Sequence, residues 1–107
     1  MPADAVRGRK LLANRPKSLC LLCHSGPVPE VAFQGNLAPD LSGVGSRYTA
    51  AQLRQRMVDP RAINPESIMP AYYDITGLTR VSDAWRDQPI LSAQEIEDII
   101  AFMVTLR

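Results

Sequence analysis

Residues 20 to 24 read CLLCH, and they hold both cysteines and the only histidine of a 107-residue chain. On a helical turn Cys20 and Cys23 are three apart and His24 is four from Cys20, so all three side chains leave from one side. Two thiols and an imidazole then converge on one object. The CxxCH spacing is that of c-type haem attachment, in which the thiols bond the porphyrin side chains and the histidine binds iron from below.

Counting ligands weighs the other chemistries. A zinc site usually takes four protein ligands, and here only a carboxylate would be left to complete it. A thioredoxin-like redox pair expects a βαβ setting, for which the sequence offers no convincing strands. A disulfide across two residues would leave His24 unexplained. With His24 below iron, the ligand above must be another residue or water, and methionine is the favoured type for an electron carrier because a thioether raises the potential and closes iron to oxygen.

Four methionines compete for that place. Met1 is terminal, and Met57 and Met103 sit at core spacings on helices. Met69, in NPESIMPAYY, lies in a loop stiffened by Pro65 and Pro70, where a sulfur can be held pointing inward. Met69 is the favoured ligand, against a core methionine or a site filled in another way.

The elements that must position these residues are short. Residues 3 to 13 read as a helix with Ala5, Gly8 and Leu12 along one side. Gly8 is costly inside a helix, which points to close packing there. Thr49 with Gln52 is a capping box that opens a helix running to about residue 58, with Ala50, Leu53 and Met57 on its buried side and Pro60 at its end. Ser92 with Glu95 opens the best helix of the chain, in which Ile96, Ile99, Ile100 and Met103 follow the i, i+3, i+4, i+7 pattern, flanked by Phe102 and Leu106. Residues 25 to 47 hold three prolines and four glycines without a sustained period, and read as a long ordered loop. Residues 60 to 91 read mainly as a second loop, with a helical turn near Tyr72. The class is all-α, in one domain over residues 1 to 107. Three short helices do not readily cover two such loops, and a large apolar group at the centre would supply the missing contacts.

Composition is that of an ordinary globular chain, 46% hydrophobic and 21% charged, which argues against disorder and fibrous repeats. No apolar run approaches the roughly 20 residues of a spanning helix, so no membrane span is expected. The net charge of +1 is uneven. Basic residues dominate up to residue 61 and acidic ones beyond it, which either steers a partner or lays oppositely charged terminal helices against each other. The basic residues form no dense run with interleaved aromatics, so nucleic-acid binding is not indicated.

CLLCH, then APDLSGVGSRY, then IMPAYY, then a capped final helix resembles a class I cytochrome c. More narrowly, LAPDLSGVGSRYTAAQLRQRMVDPRAINPESIMPAYYDITGLTRV and PILSAQEIEDIIAFMVTL resemble the SoxX family, the small subunits of the SoxAX cytochromes of bacterial thiosulfate oxidation. The resemblance runs from about Gly8 to Leu106. It implies a fold of short helices and long loops around one covalently bound haem c, attached at Cys20 and Cys23, with His24 and Met69 on iron. It also implies that the Pro39 carbonyl accepts the proton of the ligating imidazole, that Leu41 packs on the haem, that Arg47 or Tyr48 reaches a propionate, and that Gly8 and Phe102 mark the crossing of the first and last helices. Plain core packing is the alternative for Leu41, Tyr48 and Phe102, and a solvated charge for Arg47. Lys17 and Ser18 stand where the family often has a glycine-containing turn, and Ala38 replaces the glycine common before Pro39.

The functional implication is a division of labour. By resemblance, a larger haem-bearing SoxA subunit forms a heterodimer with this chain and joins thiosulfate to a cysteine of the SoxY carrier, an oxidation that releases two electrons. This chain would take those electrons singly and pass them to a soluble cytochrome or oxidase. It has no nucleophile of its own once both cysteines are consumed. Covalent haem attachment of this kind implies the periplasm. The alternative is a free-standing periplasmic cytochrome c shuttle to a terminal oxidase; a gas sensor or peroxidase would need an open iron. Tyr72, Tyr73 and Trp85 are candidate interface anchors, or else pack on the haem or core.

Overall fold

A computed structural model describes residues 2–14, 18, 20–31, 33–67, 69, 72–73 and 90–107. Helix α1, Ala5–Ala13, begins where it does because Asp4 is extended and its carboxylate accepts from the amides of Val6 and Arg7. That cap moves the start two residues beyond the expected residue 3. Gly8 and Leu12 are its buried positions, as the sequence pattern requires. Ser18 is fully buried, and its hydroxyl donates to the carbonyl of Leu12 at 3.2 Å.

The CLLCH stretch forms the single turn α2, Cys20–Cys23, and the His24 amide donates to the Cys20 carbonyl at 2.8 Å. No helix or strand forms from His24 to Gly43 among the described residues. The loop is nevertheless held at definite points. Gln34 takes the Gly26 amide on its side-chain oxygen and donates to the carbonyls of Val28 and Val31, while the Gly35 amide reaches the Leu21 carbonyl. Gly43, at φ +78°, turns the chain through the left-handed region into α3, Val44–Arg47. The Gly45 amide then bonds the carbonyl of Leu106, tying α3 to the C-terminal end of the chain.

Helix α4, Ala50–Val58, carries the expected Thr49–Gln52 capping box, with Leu53 and Met57 buried. Asp59 ends it in an extended conformation and caps the 3-10 turn Pro60–Ala62. Most of the segment around Tyr72, where a helical turn is expected, lies outside the described residues. Tyr72 lies in a bend, its amide bonded to the Met57 carbonyl and its carbonyl to the Leu91 amide. Both of its backbone groups are therefore committed across the fold. Helix α5, Ala93–Met103, opens on the Ser92–Glu95 capping box and buries Ile96, Ile99, Ile100, Phe102 and Met103. Among the described residues the secondary structure is helical throughout, so the all-α class stands.

The core sits where α1 and α4 pack against α5. A β-carbon built on Gly8 would lie 1.8 Å from the Asp98 carbonyl oxygen, so only glycine permits this approach. Asp98 is buried between the two helices, although it carries a charge. Its carboxylate accepts from the Arg7 guanidinium, the Asp4 amide and the Gln94 side chain. Arg54 of α4 meets Glu97 of α5 at 2.7 Å. Arg7 and Arg54 of the basic part thus pair with Asp98 and Glu97 of the last helix, in line with the reading that needs no outside partner.

Candidate functional site

Cys20 and Cys23 stand at the two ends of the single turn α2. His24 follows it directly, and the two thiols are not joined to each other. The Cys20 sulfur lies 4.0 Å from the Tyr72 hydroxyl. Burial pushes the Cys20 thiol up, opposed in part by bonds from Ser18 and Tyr72. A thiol held protonated in this way is unlike the activated thiolate of a redox pair.

His24 is held by its ring. Nδ1 lies 2.7 Å from the Pro39 carbonyl oxygen. A carbonyl can only accept, so Nδ1 carries a proton, and in the neutral imidazole Nε2 keeps its lone pair. The neighbouring residues reinforce the arrangement: Ser25 donates to Asp40 at 2.6 Å, and the Ser42 amide donates to the other carboxylate oxygen at 2.7 Å. These bonds hold the Asp40 carboxyl at about 2, below its ordinary value, with the Ser25 hydroxyl the largest cause.

His24 opens onto a cleft of about 210 Å³. Of the residues singled out in the sequence, His24, Pro39, Leu41, Arg47, Tyr48 and Met69 line it together. Cys20 and Cys23 are not among its lining side chains. Leu41 is buried, while Arg47 is exposed and donates to the carbonyls of Asp40 and Ser42 at 3.0 and 3.1 Å. Its guanidinium thus closes its own loop as well as edging the cleft.

Four further residues line it: Val44, Arg56, and Leu53 and Met103, which the sequence placed on core stripes, Met103 being also one of the competing methionines. Leu53 and Met103 carry a core spacing that gives no hint of a cleft beside them. Arg56 stacks over the Tyr48 ring, its guanidinium carbon 4.2 Å from the ring centroid. Of the competing methionines, Met57 is buried at 2% exposure and does not line the cleft, whereas Met69 and Met103 both do. Tyr72 is 1% exposed and belongs to the core, which removes it as an interface anchor. Its ring cannot be offered to a partner without opening the fold. Tyr73 is exposed, and Trp85 lies outside the described residues.

A model of the cytochrome c family matches residues 5–107. The chain belongs to the cytochrome c family. Among solved structures this cytochrome is similar to a chain of SoxXA from P. pantotrophus, at 35% identity over 99% of this chain and 83% of that one, with a TM-score of 0.89. That similarity bears out the resemblance to SoxX read from the sequence. The c-type cytochrome SorU from Sinorhizobium meliloti shares the fold at 21% identity, over 95% of this chain and 88% of that one, with a TM-score of 0.57. No match was found among curated proteins.

Cytochromes c carry covalently bound haem c, and the residues of this chain fit that group. The two free thiols stand one helical turn apart beside a histidine of fixed tautomer. The cleft that this histidine lines is mainly apolar, with two thioethers among its walls and two arginines and a tyrosine as further polar groups. No helix among the described residues is long and apolar enough to cross a membrane.

Proposed function

We propose that this cytochrome is the electron-transfer subunit of a SoxAX-type complex, folded as one domain over residues 1 to 107 and carrying one haem c. The observation that carries the reading is the similarity to a chain of SoxXA over nearly the whole length. In this reading a larger haem-bearing SoxA subunit pairs with the chain as a heterodimer in the periplasm. The complex conjugates thiosulfate oxidatively to a cysteine of the SoxY carrier, and a soluble cytochrome or oxidase takes the electrons onward.

Haem, when bound, supplies a one-electron couple. Cys20 and Cys23 would hold it through thioethers, with His24 Nε2 and the Met69 thioether as the residues that would bind its iron. Pro39 keeps the proton on Nδ1, which raises the donor strength of the imidazole. Leu41, Val44 and Leu53 exclude water, while Arg47 and Tyr48 offer a positive charge and a hydroxyl to a propionate. No residue remains to hold a sulfur intermediate, so thiosulfate chemistry belongs to the partner subunit.

The test is reconstitution. The purified chain should exchange electrons with small redox agents and leave thiosulfate and the carrier cysteine unjoined, and adding the larger haem subunit should restore coupling. Conjugation by the isolated chain would overturn the assignment. Failure to bind any larger haem protein, together with rapid delivery to an oxidase, would make the chain a free shuttle.

A further inference from the structure

The two chain segments that meet beside the cleft histidine are stitched residue by residue. The Ala38 amide donates to the Cys23 carbonyl at 3.0 Å, His24 Nδ1 to the Pro39 carbonyl at 2.7 Å, the Ser25 hydroxyl to Asp40 Oδ2 at 2.6 Å, and the Leu41 amide to the Ser25 carbonyl at 2.7 Å. The outer two rungs are backbone bonds and the inner two are made by side chains. Pro39 has no amide to give, so at this step of the ladder the connection falls to the imidazole.

A single neutral bond on an exposed loop is worth little on its own, and Pro39 and Asp40 are both exposed. The rung beside it is of the stronger kind, because its acceptor is a carboxylate. That carboxylate is itself anchored, since its second oxygen takes the Ser42 amide at 2.7 Å and the Asp40 carbonyl takes Arg47 at 3.0 Å. Ser25 follows His24 directly and Asp40 follows Pro39 directly. A bond between the second pair therefore limits how far the first pair can separate.

We propose that Ser25 and Asp40 are positioning residues for His24: their bond clamps the Pro39 carbonyl against Nδ1–H and so maintains the donor strength of Nε2. The inference rests on the reading that His24 is an iron ligand. A ligating histidine whose other ring nitrogen is firmly bonded is the more basic ligand and favours the higher oxidation state. Loss of the clamp should weaken the ligand and raise the potential. The negative charge of Asp40 acts in the same direction, so the neutral change at Ser25 separates clamp from charge.

The experiment uses the haem-bearing protein and three measurements: solvent exchange of the His24 Nδ1 proton by NMR, the midpoint potential, and the urea midpoint. Ser25→Ala should speed proton exchange about ten-fold, the lower end of outer-shell effects on metal ligands, and raise the potential. Ser25→Thr, which restores a hydroxyl, should return both toward the parent values. In Asp40→Ala the same mutation at Ser25 should add nothing further to exchange, as expected for two ends of one bond. Unchanged exchange and potential in Ser25→Ala, with or without lost stability, would overturn the proposal, as would full additivity in the double variant. If Ser25→Ala does not fold, Asp40→Ala takes its place: faster exchange supports the clamp, and parent exchange overturns it. A protein lacking covalent haem, or one whose haem spectrum survives loss of His24, would instead defeat the underlying reading of the site.

Discussion

Gly8 of α1 lies against the backbone of Asp98 in α5, so close that a methyl group in its place would stand 1.8 Å from the Asp98 carbonyl oxygen. Glycine inside a helix ordinarily costs about 1 kcal/mol relative to alanine. Here the sign reverses. Gly8→Ala should destabilise the protein by roughly 1 to 3 kcal/mol through the forced separation of the two helices. Urea denaturation measures the difference, and a stabilised variant would contradict the packing described.

The same crossing contains an acid-sensitive bond. The Arg7 guanidinium, ahead of bonds from Gln94 and the Asp4 amide, holds the buried Asp98 carboxyl at about 2, below its ordinary 3.8. A depressed folded value means that the stabilisation is fully present above the unfolded value and is lost as the pH falls toward 2. The urea midpoint should therefore drop between about pH 4 and pH 2, and Asp98→Asn should remove part of that slope while lowering stability at neutral pH. An unchanged acid slope would show that this carboxylate is not the group responsible.

Two adjacent tyrosines should behave in opposite ways. Tyr72 is buried and bonded through its backbone to Met57 and Leu91, while Tyr73 is 44% exposed. Tyr72→Ala should cost on the order of 3 to 5 kcal/mol, as for other large core truncations. Tyr73→Ala should change stability by less than about 0.5 kcal/mol. Thermal unfolding of the pair decides it, and equal effects would contradict the placement of Tyr72.

The methionines offer a parallel contrast. Met69→Ala should admit carbon monoxide to the reduced protein and lower the potential, because it removes the proposed thioether ligand. Met57→Ala should cost about 2 to 5 kcal/mol and keep the ligand-sensitive spectrum, since Met57 is buried away from the cleft. A spectrum unchanged by Met69→Ala in both oxidation states would assign the sixth position to another residue, with Met103 the other methionine on the cleft wall.

What could be read from the sequence was local. The CLLCH turn depends on three positions within five residues, and both capping boxes on residues three apart, so each was visible without knowledge of the rest of the chain. The α5 stripe was legible for the same reason. Asp98 was not, because its burial depends on Arg7 and the Asp4 amide, more than ninety residues away. Its position between Ile96 and Ile99 was the only local sign. Arg56 and Val44 became cleft residues through the approach of α3, α4 and α5, which no period within one helix records. Tyr72 resembled an exposed anchor because it stands in a proline-rich loop, yet its backbone bonds to Met57 and Leu91 draw it inward.

The most direct measurement is the intact mass of the protein after denaturation, taken together with thiol labelling. If Cys20 and Cys23 hold haem through thioethers, the denatured chain should be heavier than its sequence mass by about one haem, roughly 0.6 kDa, and neither cysteine should react with a thiol reagent. A denatured mass equal to that of the bare chain, with two labelled cysteines, would contradict the account.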